Sequence, residues 1–272
     1  MIAATQLKAP KPTVRIRPVA LPVEHGGWGL LLEPIVLGLI LSPSIGGVWL
    51  SVAAIAAFLT RHPLKVAIGD WRRDRRSYRT ALAERFAIVY FIVAILSFLT
   101  AIRTAGVNCL FPVLLAAPFM LIQLFYDTSG RSRAPVAELA GSVSVGVVAA
   151  AIAIAGGWSS GPAFGLWIVI TARNVPTILY VRAKLRLLHH RSASPRTSVI
   201  AHLFAAAIVA VLALNQIVPS LAFVAMLILL GRAVIGFRRS DTDLTPKTLG
   251  IYELCFGSMT VVAVIVGYAI GW

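Results

Sequence analysis

Residues 86–102 read FAIVYFIVAILSFLTAI, an uncharged run closed by Arg85 on one side and Arg103 on the other. As an α-helix it rises about 1.5 Å per residue, close to the ~30 Å hydrocarbon thickness of a bilayer, and it reads as a membrane span. Working outward, similar runs at 27–42, 45–60, 108–125, 137–156, 162–181, 199–216, 218–236 and 250–271 bring the number of spans to nine. Two neighbouring pairs meet at Ser42-Pro43-Ser44 and at Val218-Pro219. Left undivided, residues 30–60 would form a rod of about 45 Å, too long for one crossing.

Composition agrees. Of 272 residues, 58% are hydrophobic and 13% charged, against about 25% charged in a soluble domain, and the mean hydropathy is +0.86. The fold class expected is therefore all-α, a polytopic integral membrane bundle of about nine transmembrane helices. The net charge of +15 belongs to the segments between spans. Lys8, Lys11, Arg15 and Arg17 precede the first span, and Arg61, Lys65, Arg72, Arg73, Arg75, Arg76, Arg79 and Arg85 follow the second. Arg131 and Arg133, then Arg182 to Arg196, then Arg232 to Lys247 fall on the same side, while Arg103 alone falls on the other and Arg173 lies within a span. By the positive-inside rule the N-terminus is cytoplasmic and the C-terminus external, as in a bacterial cytoplasmic membrane. Basic residues confined to such loops serve topology and anionic lipid, so membrane lipids are the expected partners and nucleic acid is not. No particular protein partner is indicated.

Residues 1–26 carry Pro10, Pro12, Pro18 and Pro22 and lack the apolar core of a signal peptide, so an extended cytoplasmic arm is expected, followed by one transmembrane domain, 27–272. Cys109 and Cys255 fall toward opposite ends of the bundle, too far apart for a disulfide and without metal-ligand spacing.

Polar residues gather in a few places. The first span opens Glu24-His25-Gly26-Gly27-Trp28-Gly29 and carries Glu33-Pro34 inside the membrane, where a carboxylate must face the bundle interior. Glu24 and His25 fit an interfacial pair as well as a site. After the second span, Arg61-His62-Pro63-Leu64 begins a charged loop to Arg79 holding Asp70 and Asp74. On a helix those two would share a face and form a weak metal candidate, but ion pairing with the surrounding arginines is the simpler reading. The arginines, Arg73 among them, suit phosphate as well as lipid headgroups. In the sixth span Arg173, Thr177, Tyr180 and Lys184 form a polar stripe at i, i+4, i+7, i+11, with Asn174 beside it and Pro176 able to free a carbonyl. Arg173 is open to a buried pair with Glu33 or Glu253, or to a ligand. Arg182 continues the stretch, and His189 and His190 read as solvated. Tyr126-Asp127 with Arg131, Arg133 and Glu138 reads as a turn with local ion pairs, Glu253 as hydrated near the inner interface, and Gly141, Gly146, Gly156 and Gly157 as marks of close packing.

The string from Glu24 to Pro34, the Arg61-His62-Pro63-Leu64 sequence and the nine-span layout resemble the YwiC-like family of bacterial membrane proteins, over most of the chain. A more distant likeness is to the UbiA-type prenyltransferase superfamily, supported by Gly29-Leu30-Leu31-Leu32-Glu33-Pro34. Its members are nine-helix bundles that hold a prenyl diphosphate through magnesium at acidic loops after helices two and six. The resemblance implies a UbiA-like fold, but the acidic motifs differ. Only Asp70 and Asp74 stand in for the first, and residues 180–198 contain no acid. Magnesium needs oxygen ligands, so Mg2+ and any other cofactor are not expected.

The expected function is binding of an anionic amphiphile, isoprenoid or phospholipid-like, at the cytoplasmic face of a degenerate prenyltransferase-like protein. The ligand-binding candidates are Glu24, His25, Glu33, Arg61, His62, Arg73, Asp127, Arg173, Asn174, Tyr180, Arg182 and Lys184. Catalytic residues are not assigned; any enzyme of this kind would be a UbiA-like transferase without the usual two-magnesium site. A small-molecule transporter and a structural membrane scaffold are the alternatives. The binding reading expects the loops after spans two and six to meet over a cavity.

Overall fold

The structure is a computed structural model that describes residues 16–21, 25–238 and 245–271. Among them, regular structure is helical: α1 (Arg17–Ala20), α2 (His25–Leu41), α3 (Ile45–Trp71), α4 (Tyr78–Ala105), α5 (Leu110–Thr128), α6 (Pro135–Ala155), α7 (Ser160–Leu188), α8 (Arg196–Leu214), α9 (Ser220–Arg238) and α10 (Pro246–Ile270). A single 3-10 turn, Val107–Cys109, leads into α5. Helices α3 to α10 are long and apolar enough to cross a membrane, and α2 is the shorter apolar helix of the set. A helix thus stands at each of the nine expected spans, eight of them long enough to cross, and the chain is an integral membrane protein.

Local chemistry sets the breaks. Ser44 caps α3, its hydroxyl accepting from Gly47 N at 3.0 Å, and Thr245 caps α10 by accepting from Thr248 N at 3.1 Å. Gly106 closes α4 at φ 80° and Gly157 turns the chain after α6 at φ 93°, both left-handed positions that favour glycine. Gly157 is therefore a turn residue and not the packing residue expected. The other three do pack: a Cβ on Gly146 would sit 3.1 Å from Ile170 Cγ2, and Cβ atoms on Gly141 and Gly156 would overlap Gln123 and Ser42.

Helices α6 and α7 form the centre, with 67% and 56% of their apolar windows buried, whereas α4 and α5, at 17% each, turn most of their surface outward. Ala149, Ala150 and Ala153 of α6 pack with Leu37 of α2 and with Leu166 and Ile170 of α7. Small residues at these positions let backbones approach closely, which is how helices associate when lipid removes the hydrophobic drive between them.

Successive spans alternate in direction, so loops alternate between two ends of the bundle. Among the described residues, Arg103 is the only Lys or Arg at the end where α4 meets α5; the other end is basic. At that basic end three expectations change. The segment after the second span is not mainly loop, because α3 runs on to Trp71 with Pro63 inside it. Residues 17–20 of the expected extended arm are helical, and Val19 packs on Ala67 of α3 and Ala83 of α4. Asp70 and Asp74 do not share a helix face, because the chain leaves α3 between them and Asp74 takes φ 51° in the turn.

Candidate functional site

Two polar regions emerge, one inside the bundle and one at its basic end. In the interior, Glu33 stands eight residues into α2, about 12 Å along the axis from its start. Its Oε1 lies 3.2 Å from Arg173 Nη2, with both side chains buried. Arg173 Nη2 also donates to the Glu253 carbonyl at 2.6 Å, and Nη1 donates to Asn174 Oδ1 at 3.0 Å. Gly257 makes room for this pair, since a Cβ there would overlap both Glu33 Oε1 and Arg173 Nη2.

The chain of contacts continues outward. The Glu253 carboxylate on α10 pairs with Arg232 of α9. Arg232 lies against two rings, its Cζ 4.2 Å from the Tyr180 centroid and 4.9 Å from that of Phe256. Tyr180 packs onto Gly236, whose carbonyl accepts from Lys184 Nζ at 2.6 Å. On α8, buried His202 binds the Ser198 carbonyl through Nδ1 at 2.8 Å. A carbonyl only accepts, so Nδ1 carries the hydrogen and the neutral ring keeps its lone pair on Nε2.

At the basic end, a cavity of about 730 Å³ opens between α3 and the α5–α6 turn. Its lining includes the cations Arg61, Lys65, Arg72, Arg73, Arg79 and Arg133, the acids Asp70 and Asp127, and apolar surface from Phe58, Val66 and Gly27. Asp127 is held by Arg61, whose Nη2 lies 3.0 Å from Asp127 Oδ1. With the Gln123 amide turned so that its oxygen faces the guanidinium, Arg61 Nη1 also donates to that oxygen at 2.7 Å. Arg72 donates to the Thr128 carbonyl, and Lys65 Nζ to Ser132 Oγ at 2.5 Å. Asp70 accepts from Thr80 Oγ1 at 2.9 Å. With both acids engaged, the remaining guanidinium groups leave the cavity strongly cationic.

These contacts sort the expected site residues into two groups. Arg61, His62, Arg73 and Asp127 line the cavity, with His62 Nε2 donating to the Pro18 carbonyl at 3.0 Å. Glu33, Arg173, Asn174, Tyr180 and Lys184 belong to the interior cluster, and the stripe on α7 faces inward as its spacing requires, with Thr177 buried too. Arg182 joins neither. Its Nη1 pairs with Glu138 Oε2 at 2.6 Å and donates to the Arg133 carbonyl at 3.0 Å. The cavity is therefore built by the segment after span two, which includes the end of α3, and by the turn after α5; none of its lining residues comes from the loop after span six. The acids of the α5–α6 turn likewise do not pair locally, because Asp127 and Glu138 are taken by Arg61 and Arg182 from α3 and α7. Glu253 is not hydrated as expected, since Arg232 pairs with its carboxylate and the side chain is only 14% exposed. Glu24 and the side chain of His25 lie outside the described residues. Arg232 and His202 were missed as site residues; each is a lone polar residue on an apolar span, and that was the available signal.

The metal chemistry that the resemblance implied finds no matching donors among the described residues. Among the described residues, no group of three or more His, Cys, Asp or Glu side chains is placed to hold a metal ion. One cavity acid is neutralised by Arg61 and the other is bound by Thr80. This donor set does not fit a two-magnesium site.

Comparison with known proteins agrees with the geometry. Residues 21–153 match the family described as YwiC-like protein. No curated protein matches the chain. A solved structure of digeranylgeranylglyceryl phosphate synthase is similar in fold, with a TM-score of 0.62 over 89% of this chain and 92% of that one at 12% identity. The chain is thus a multi-pass membrane protein with YwiC-like sequence over residues 21–153, built on a UbiA-type prenyltransferase fold.

Proposed function

We propose that this protein binds an anionic amphiphile, its phosphate-bearing head in the arginine-lined cavity and its apolar tail along the bundle. The observation that carries the reading is the lining of that cavity: six cations against two engaged acids, with Phe58 and Val66 adding apolar surface. Arginine binds phosphate oxygens side-on through paired N–H groups, so the site can hold the head without a metal. Every lining residue falls within the segment that matches the YwiC-like family. The structural neighbour's name is that of a synthase of a lipid phosphate, which makes isoprenoid phosphates the first ligands to try. The basic end faces the cytoplasm in this proposal, where anionic lipid adds to the attraction. The interior charges argue against a pure scaffold, because Glu33 and Glu253 find their guanidinium partners within one chain.

Binding of farnesyl monophosphate, farnesyl diphosphate and farnesol to the purified full chain in nanodiscs tests this reading. Both phosphates bind, more weakly as salt is raised, and Arg73→Ala with Arg133→Ala lowers their affinity at least tenfold, by about 1.4 kcal/mol or more. Farnesol binding as well as its phosphates, or affinity unchanged in the double variant, would overturn it.

A further inference from the structure

The interior cluster is remote from the described use of the cavity, and it has an unusual regularity. Three buried proton acceptors are each anchored through one polar atom and leave the other without a partner. Glu33 is held at Oε1 by Arg173, Glu253 at Oε1 by Arg232, and His202 at Nδ1 by the Ser198 carbonyl. The atoms left over are Glu33 Oε2, Glu253 Oε2 and His202 Nε2. Spare donors stand in the same cluster: Arg173 Nε, Asn174 Nδ2, and Arg232 Nε and Nη2. A network serving stability alone would use two-pronged Arg–carboxylate contacts, since each unmet polar atom in an apolar interior costs free energy of order kcal/mol. Single-pronged pairs with lone pairs to spare suit groups that change partners.

We infer that this cluster is a membrane-embedded proton-binding site, in which Glu33, Glu253 and His202 take up and exchange protons. Arg173 links the two glutamates, touching the Glu33 carboxylate and the Glu253 backbone carbonyl with the same nitrogen. A proton on Glu33 Oε2 gives a neutral acid and frees Arg173 for the remaining carboxylate. A proton on His202 Nε2 gives an imidazolium still anchored through Nδ1 to the Ser198 carbonyl. The charged groups against the two carboxylates are Arg173 of α7 and Arg232 of α9. Arg232 and Glu253 keep 10% and 14% side-chain exposure, so the cluster is not sealed from its surroundings.

Infrared difference spectroscopy and proton-uptake titration of the full chain in nanodiscs, without added amphiphile, test the site. On acidification a protonated-carboxyl band grows; Glu33→Gln and Glu253→Gln each remove part of it, and His202→Gln lowers proton uptake without altering the band. Glu33→Asp and Glu253→Asp cover the case in which an amide variant fails to fold, and shift the band in frequency. Arg73→Ala combined with Arg133→Ala, which weakens amphiphile binding, leaves this amphiphile-free uptake in place, so failure of one reading is told from failure of the other. A band that does not respond to pH, or that persists intact when both glutamates are changed, would overturn the inference.

Discussion

Removing both members of the Glu33–Arg173 pair should cost far less than the sum of removing each alone. At 3.2 Å and an effective dielectric of ~20, two unit charges attract by about 5 kcal/mol, most of which offsets the cost of taking them out of water. Arg173→Met strands the Glu33 carboxylate and takes a donor from the Glu253 carbonyl and from Asn174 Oδ1. A loss of about 4 kcal/mol is expected from the stranded charge, rising with the orphaned acceptors. Glu33→Gln leaves the guanidinium those two acceptors and should cost less, about 3 kcal/mol. The double variant should resemble Arg173→Met alone, giving a coupling energy of about 2 to 3 kcal/mol. Equilibrium unfolding in mixed micelles of rising SDS fraction, followed by tryptophan fluorescence, measures all three. Costs that add to within about 0.5 kcal/mol would refute the argument, because they would mean the two groups do not act on each other.

Two glycines of α9 should respond oppositely to alanine. At Gly236 the new methyl would overlap the Tyr180 hydroxyl and cost about 1 to 3 kcal/mol, whereas at Gly231, where nothing lies within 4 Å, better helix propensity should stabilise by about 0.5 to 1 kcal/mol; thermal melts in detergent give both signs. Arg61→Ala leaves the buried Asp127 carboxylate unpaired and should destabilise by about 3 kcal/mol, most of it recovered by adding Asp127→Asn, measured in the same micelle titration. In a background lacking Cys109 and Cys255, cysteine at exposed Val107 should react with a membrane-impermeant maleimide on intact spheroplasts, and cysteine at exposed Ser192 only after permeabilisation; the reverse pattern would invert the orientation.

The spans were legible because a lipid-facing helix must be apolar along its whole length, and residues 86–102 announce this without any knowledge of neighbours. The inward stripe of Arg173, Thr177, Tyr180 and Lys184 was legible for a related reason, since helical spacing fixes which residues share a face. Partners across helices were not. Arg61 with Asp127, Arg182 with Glu138 and Arg232 with Glu253 each join residues that no local pattern connects, so the sequence suggested a self-contained turn and a hydrated glutamate instead. The end of α3 was misread for a different reason: charge and Pro63 suggested loop, but a helix may run past the bilayer into water at little cost.

The distance along the chain between Glu33 and its partner bears on how the molecule is made. Arg173 belongs to α7, five helices after α2, so at ribosomal speeds of about 5 to 20 residues per second the carboxylate waits on the order of ten seconds for its guanidinium. During synthesis, then, α2 must either linger beside the translocon or enter the lipid with its acid protonated. A chain truncated before α7 should accordingly integrate its first span poorly, making the sixth crossing a checkpoint for the whole assembly line.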